Sequence, residues 1–319
     1  MKSVITKDIA FCQNLLRDKK LVAIPTETVY GLAATIFDDD AINNIFKMKE
    51  RPLFNPLIVH IHNPEQLDIL TTHIPKAAKK LMDTFWPGPL TLVLSKSAIV
   101  SDLVTAGKST VAIRMPAHPI TRQLLEGLDF PLAAPSANPF TRISPTSAQH
   151  VATYFGNRIP AILDGGVCTV GLESTIVGFN GDSPIIYRKG GISKDRIEAC
   201  VGSVEMLVTD NKAPIAPGML LKHYSPKTPL ILEDDVVKAI KENAGLKMGV
   251  LLFKPLETTK AQEIRVLSED GNLEEAAQRL FYTLHELDAL NLDLIIAQHF
   301  PENGLGNSIN DRLERAANS

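Results

Sequence analysis

The chain reads as an α/β protein: a mixed sheet with helices packed on it, then a smaller doubly wound α/β unit. Three observations point there. Short apolar runs of strand length alternate with stretches of helical periodicity from the start. Their spacing is irregular, with helices between some runs and only short turns between others, which argues against a purely parallel sheet. Composition changes after about residue 205, where a proline-rich stretch interrupts the alternation before it resumes.

In order, the first stretch places Ile5, Ile9, Phe11, Cys12, Leu15 and Leu16 near helical spacing, so an amphipathic helix is expected over 6–18. Strands are expected at 21–24, 57–61, 90–95, 110–114, 131–134, 160–163, 174–178 and 184–187. Helices are expected at 39–49, 64–85 with a break near Pro75, 118–127, 145–155 and 193–200. The segment 211–229 carries four prolines and little periodicity, yet also Met219, Leu220, Leu221, His223 and Tyr224. Those are too many anchoring side chains for a free tether, so it is expected to lie across the site as a lid. Further strands at 230–232, 248–253, 264–267 and 294–297 alternate with helices at 233–243, 272–290 and 305–317. The expected organisation is a first domain over 1–205, a linker over 206–229 and a small Rossmann-like α/β domain over 230–319.

Composition narrows the function. A net charge of −3 and pI ≈ 6.3 give no electrostatic footprint for a stable nucleic-acid binder. The three cysteines are far apart and form no C-x-x-C, so neither a zinc ribbon nor a disulfide framework is supported; a reduced, cytoplasmic compartment is the economical expectation. No run of about 18 apolar residues marks a spanning helix.

Polar groups gather at strand ends. Pro25 to Leu32 (PTETVYGL) follows the first apolar run and brings two hydroxyls, a carboxylate and Gly31 to its carboxyl end. Lys49-Glu50-Arg51 closes a helix, where the dipole alone favours cations, or forms a clamp for a polyanion; Asn55 follows. His60 and His62 are two apart on an expected strand and so would share a face; a metal there lacks a third ligand, and His60 facing a ligand is the preferred reading. Arg114 ends the run Thr110–Ile113 and either snorkels or binds a carboxylate or phosphate. Ala134-Pro135-Ser136-Ala137-Asn138, Ser144 before a helix, Glu173-Ser174 and Arg188 complete the set. No Walker A, G-x-S-x-G, H-E-x-x-H or protein-kinase signature occurs. Without an evident nucleophile, such a site is built to position reactants and neutralise charge.

The motifs PTETVYGL, K-E-R-P-x-x-N-P-L-x-V-H, W-P-G-P-L-T, A-I-R-M-P, A-P-S-A-N, E-S-T-I-V and R-x-G stand here in the order of the threonylcarbamoyl-AMP synthase family. The chain resembles that family in its two-domain form, a YrdC-like domain plus a smaller C-terminal domain, over nearly its whole length. P-G-M-x-x-x-H-Y-x-P resembles the linker that folds over the active site in that form.

The resemblance implies an enzyme, a nucleotidyltransferase, joining L-threonine, bicarbonate or CO2 and ATP (with Mg2+) into threonylcarbamoyl-AMP. It implies a partner complex that transfers the product to tRNA. It implies L-threonine held by Thr28, His60, Arg114, the backbone near Ala134, and Ser174. ATP would be held by Arg51, Asn55, Thr110, Ser136, Ser144, Arg188 and Tyr224, with Lys49, Arg51 and Asn138 near the reacting groups. Two other readings compete. One is a double-stranded RNA-binding or ribosome-assembly role, which the net charge disfavours. The other is a carbamoyl-handling maturation enzyme, for which the accessory zinc motifs are missing.

Overall fold

The computed structural model describes residues 4–207, 223–256 and 263–318. Twelve strands form the larger sheet: β1 (Val4–Thr6), β2 (Val22–Ile24), β3 (Gly31–Thr35), β4 (Ile58–His60), β5 (Thr71–His73), β6 (Leu90–Lys96), β7 (Thr110–Arg114), β8 (Leu132–Ala133), β9 (Ala161–Leu163), β10 (Thr175–Asn180), β11 (Ser183–Arg188) and β12 (Glu205–Met206). They run β1-β9-β2-β3-β8-β4-β7-β6-β10-β11-β12, with β5 beside β6. Parallel pairs (β4 on β7) and antiparallel pairs (β6 on β7) coexist, so the sheet is mixed, as its irregular spacing requires.

Helices α1 (Ile9–Arg17), α2 (Asp39–Lys49), α3 (Leu67–Leu70), α4 (Lys76–Phe85), α5 (Asp102–Thr105), α6 (Pro119–Glu126), α7 (Ala148–Phe155) and α8 (Lys194–Val201) accompany this sheet. The start of α2 is set by Asp38, whose carboxylate accepts from Ala41 N at 2.8 Å, and its end by Glu50 at φ 54°. Its inward face buries Ala41, Ile42, Ile45 and Phe46 in the main core, together with Leu92, Ile113 and Val177 from the strands.

Four expectations change. Residues 4–6 are not the start of a helix but an edge strand parallel to β9. Gly31–Thr35 is a strand, paired antiparallel with β2 and β8, where none was expected between the 21–24 run and α2. The stretch 64–85 divides into a short 3-10 turn, α3, β5 and α4. Strand β4 ends at His60, and the His62 backbone N–H instead donates to the Gln66 side chain, so the two histidines do not share one strand.

The smaller sheet is all parallel: β13 (Leu230–Glu233), β14 (Met248–Leu252), β15 (Glu263–Val266) and β16 (Leu294–Gln298) in the order β13-β16-β14-β15. Helix α9 (Val236–Glu242) covers one face, and α10 (Leu273–Asp288) and α11 (Gly306–Ala317) cover the other. This second core takes in Val29, Ile143 and Leu172 from the first unit, so apolar packing is continuous between the two. At Gly171 (φ +73°) a Cβ would meet the Gln278 backbone at 2.3–2.6 Å; only glycine lets α10 come so close.

Pairing across the larger sheet defines one face. Arg114 lies opposite Thr91, Ala112 opposite Val93, and Thr110 opposite Ser95, while His60 and Ile58 stand beside Arg114 and Ala112. Directly paired residues point to the same side. Polar groups therefore collect at one end of this face, Ile58, Val93, Ala112 and Ile176 form an apolar floor next to them, and Thr110 stands at the floor's far end.

Candidate active site

A partly open cleft, lined mostly by polar residues, lies over the polar end. It is lined by Thr26, Thr28, Val29, Gly31, Arg51, Ile58, His60, Arg114, Ala134, Pro135, Ser136, Glu173, Ser174, Arg188, His223 and Tyr224. The turn between the antiparallel β2 and β3 supplies the first of these, and both ends of that turn are pinned by the sheet.

Arg114 is held by an ion pair to Glu27 (Nη2 to Oε1, 2.7 Å), by Nη1 donating to Thr28 Oγ1 (2.8 Å), and by Nε donating to the Gly88 carbonyl (3.3 Å). The second Glu27 oxygen accepts from Ala117 N at 3.0 Å. Three of the five guanidinium N–H groups are thus committed, leaving two for a ligand. Thr26 donates its proton to the Val29 carbonyl (2.6 Å), so the 2.8 Å contact between the two hydroxyls takes the Thr28 proton. Thr28 therefore offers a ligand an acceptor, not a donor.

His60 Nδ1 donates to the Ile58 carbonyl at 3.2 Å, leaving Nε2 with a lone pair. Burial, reinforced by the neighbouring Arg114, pushes its pKa down to about 3, so the imidazole is neutral at physiological pH. Ser174 shares a 2.7 Å hydrogen bond with Thr91 and accepts from Arg188 Nη2 at 3.2 Å. Arg188 also donates to the Ser174 carbonyl at 2.8 Å.

The cationic wall is costly as it stands. Arg51 donates to the carbonyls of Asn55 (3.1 Å) and Pro56 (2.8 Å), and burial lowers its pKa to about 9, helped by Arg188. Lys49 is buried with its ammonium against the carbonyls of Ser136 and Asn138, both at 2.5 Å. Burial, with Arg51 nearby, pushes its pKa well below the usual lysine value. Among the described residues neither cation has a carboxylate partner, an arrangement that an arriving anion would relieve.

Several expected residues are near but not on the cleft surface. Lys49 does not line it; its ammonium braces the 136–138 turn from behind. Asn138 donates to the carbonyls of Arg142 (2.7 Å) and Pro139 (3.1 Å), fixing the same turn, and its Oδ1 has no partner among the described residues. Asn55 is fully buried with neither side-chain atom partnered there. Ser144 donates to Glu173 Oε1 at 2.6 Å, one layer behind the wall. Thr110 lies at the opposite end of β7 from Arg114, about 13 Å away at strand rise but on the same face. Tyr224, at φ 64°, packs against Phe281 (5.5 Å) and closes the cleft beside His223. Met219, Leu220, Leu221 and most of the expected lid lie outside the described residues.

Comparison with known proteins is decisive at the level of family. The Sua5–YciO–YrdC family model, described as "Telomere recombination", matches residues 14–190, and the model "Threonylcarbamoyl-AMP synthase, C-terminal domain" matches 192–318. The chain belongs to this family. The threonylcarbamoyl-AMP synthase of Bacillus subtilis (strain 168) is 42% identical to the chain, covering 97% of it and 92% of its own length. That of Pyrococcus abyssi is 40% identical, covering 97% and 94%. The crystal structure of P. abyssi Sua5 complexed with L-threonine superposes with a TM-score of 0.90 at 40% identity, covering 97% of this chain and 94% of that one.

Within this family member, three charged groups near the cleft escape sequence reasoning. Glu27 sits between the two threonines of the PTETVYGL turn, and Glu173 just before Ser174; both read as ordinary polar neighbours until their partners are seen. Arg312, which answers Glu173 from α11, leaves no local signal at all, since an arginine on an amphipathic helix is unremarkable.

Proposed function

We propose that this chain is an L-threonylcarbamoyladenylate synthase. The threonine amine adds to CO2 with loss of a proton, or to bicarbonate with loss of water, to give a carbamate; the carbamate oxygen attacks the α-phosphorus of ATP, and pyrophosphate leaves. The observation that carries the reading is the match, over nearly the full length of both chains, to a protein crystallised with L-threonine.

The cleft chemistry supports it. The two remaining Arg114 N–H groups suit a carboxylate by charge-assisted bonding, and the lone pair on His60 Nε2 suits an amine or hydroxyl proton. Thr28 accepts from the threonine hydroxyl, with Ser174 and the backbone near Ala134 completing that subsite. A purine meets the apolar side of the cleft at Ile58, which Val93, Ala112 and Ile176 back, with Thr110 beyond. Arg51 and Arg188 face the phosphates, with Ser136 and Tyr224 beside them; Asn55 and Ser144 back this wall from behind, and Lys49 and Asn138 act by holding the 136–138 turn. Charge on the leaving pyrophosphate then meets fixed guanidinium groups, not mobile water.

Among the described residues the carboxylates at or behind the cleft wall are committed, Glu27 to Arg114 and Glu173 to Arg312 and Ser144. They do not fit a protein-held metal, so Mg2+ belongs with the ATP oxygens as part of the substrate. Among the described residues no helix is long and apolar enough to cross a membrane. Cytoplasmic action and hand-over of the product to a tRNA-modifying transferase complex follow from the same reading.

Pyrophosphate release by the purified chain, with L-threonine and bicarbonate each present or omitted, tests it. The expected result is release that requires both. Release indifferent to either would mean that the cleft holds a nucleotide for another purpose.

A further inference from the structure

Among the described residues the largest fully buried side chain is Arg312, on α11, and its partners lie largely outside its own unit's core. Its Nε donates to Glu173 Oε2 at 2.8 Å and its Nη2 to the Lys189 carbonyl at 2.7 Å. Its guanidinium carbon stands 4.9 Å from the Tyr224 ring centre, and Nη1 pairs with Asp311 at 2.5 Å. One planar group thereby joins three pieces of the cleft wall: the segment before Ser174, the segment after Arg188, and the aromatic ring that closes the site.

Glu173 passes the connection on. Its other oxygen accepts the Ser144 hydroxyl at 2.6 Å, so the carboxylate is fixed at both ends, by a guanidinium on one side and a hydroxyl on the other. Without Arg312, Glu173 would be a buried carboxylate with no counter-charge, free to turn toward Arg188 and take the guanidinium that faces the ligand. Asp311 also holds Arg315 (3.0 Å), whose carbonyl lies 3.5 Å from His223 N, so the same helix turn seats both cleft-lining residues of the linker's end. Gly190 is part of this fit, since a Cβ there would meet Glu173 and Ser174 backbone atoms at 2.4–2.5 Å, and Ser308 of α11 donates to its carbonyl at 2.9 Å.

We infer that Arg312 is a positioning residue for nucleotide binding: through Glu173, Lys189 and Tyr224 it sets the Ser144–Arg188 side of the cleft, which makes the C-terminal unit a working part of the site. The inference rests on the ATP subsite of the proposed function. It assigns no contact between Arg312 and substrate.

The test uses the full chain and ATP binding by calorimetry, which needs no turnover, with melting temperature recorded in parallel. Arg312→Met is expected to weaken ATP at least 10-fold while leaving L-threonine affinity within about 3-fold, and Arg312→Lys to recover part of the loss. The double variant Glu173→Gln with Arg312→Met removes the stranded carboxylate and is expected to regain melting temperature. A purely structural role predicts that its ATP affinity returns as well, and that result would overturn the inference; affinity still 10-fold down in a refolded double variant supports it. ATP bound by the wild-type chain and equally well by Arg312→Met would refute the positioning role alone. Failure of the wild-type chain to bind ATP would remove the proposed function with it.

Discussion

The ion pair between Arg114 and Glu27 allows a threonine-binding role to be separated from a structural one. Both side chains are about 95% buried, and Glu27 also accepts the Ala117 N–H. Arg114→Met strands a buried carboxylate, which costs roughly 3–5 kcal/mol of stability. At roughly 2–4 °C per kcal/mol for a folding unit of this size, the melting temperature should fall by about 10 °C. Activity lost in that variant alone is therefore ambiguous. Adding Glu27→Gln removes the stranded charge while keeping an acceptor for Ala117, so the double variant should recover most of the melting temperature. L-Threonine binding should not recover, because the two free N–H groups are still gone. Hydrogen bonds to a charged partner contribute roughly 1.5–3 kcal/mol each, so the loss should be at least about 100-fold. Calorimetric titration with L-threonine on the wild-type, single and double variants is the assay. A double variant that is stable and binds L-threonine normally would show that Arg114 serves only to neutralise Glu27.

Other consequences follow from the same geometry. Thr28→Val keeps the shape but removes the acceptor for Arg114 and for a ligand hydroxyl; L-threonine affinity should drop about 10-fold or more, and discrimination against 2-aminobutyrate, which lacks that hydroxyl, should shrink. Gly171→Ala places a methyl group into the Gln278 backbone at a positive φ, and chemical denaturation should register a loss of about 2–4 kcal/mol. His60 and His285, the latter on α10 against the Ser144 carbonyl, are buried neutral with pKa values of about 3 and about 4, below the unfolded value of 6.5. Above pH 6.5 they leave stability unchanged. Below it the unfolded chain takes up protons that the folded one refuses, so each removes up to about 1.4 kcal/mol per pH unit, down to about pH 4 for His285. Urea midpoints that stay constant from pH 7 to pH 5 would contradict this.

Legibility in the sequence followed the locality of the cause. Strand β7 is found at 110–114 because a β-branched and apolar run is bounded by a polar turn and by Met115-Pro116. Strand β3 is not, because Gly31-Leu32-Ala33-Ala34-Thr35 has small residues of poor strand propensity and is buried on both faces, so no alternation marks it. What makes it a strand is pairing with β2 and β8, the latter about 100 residues further on. The same holds at the cleft. Polar clusters at strand ends pick out Thr28, His60, Arg114, Ser174 and Arg188, all of which line it. That Lys49 turns to two carbonyls, or that Thr28 has already spent its proton, depends on partners a sequence does not place side by side.

The bond from Arg312 to Glu173 spans 139 residues. During synthesis the whole β-sheet carrying the substrate groups is translated long before the guanidinium that steadies it. A nascent chain halted short of α11 would hold its Glu173 carboxylate without the Arg312 guanidinium, so on the positioning role inferred above any competence for nucleotide arrives late and all at once. A ribosome-stalled series carried on a C-terminal extension should therefore show a step in ATP capture once the whole of α11 has cleared the exit tunnel, not a gradual rise.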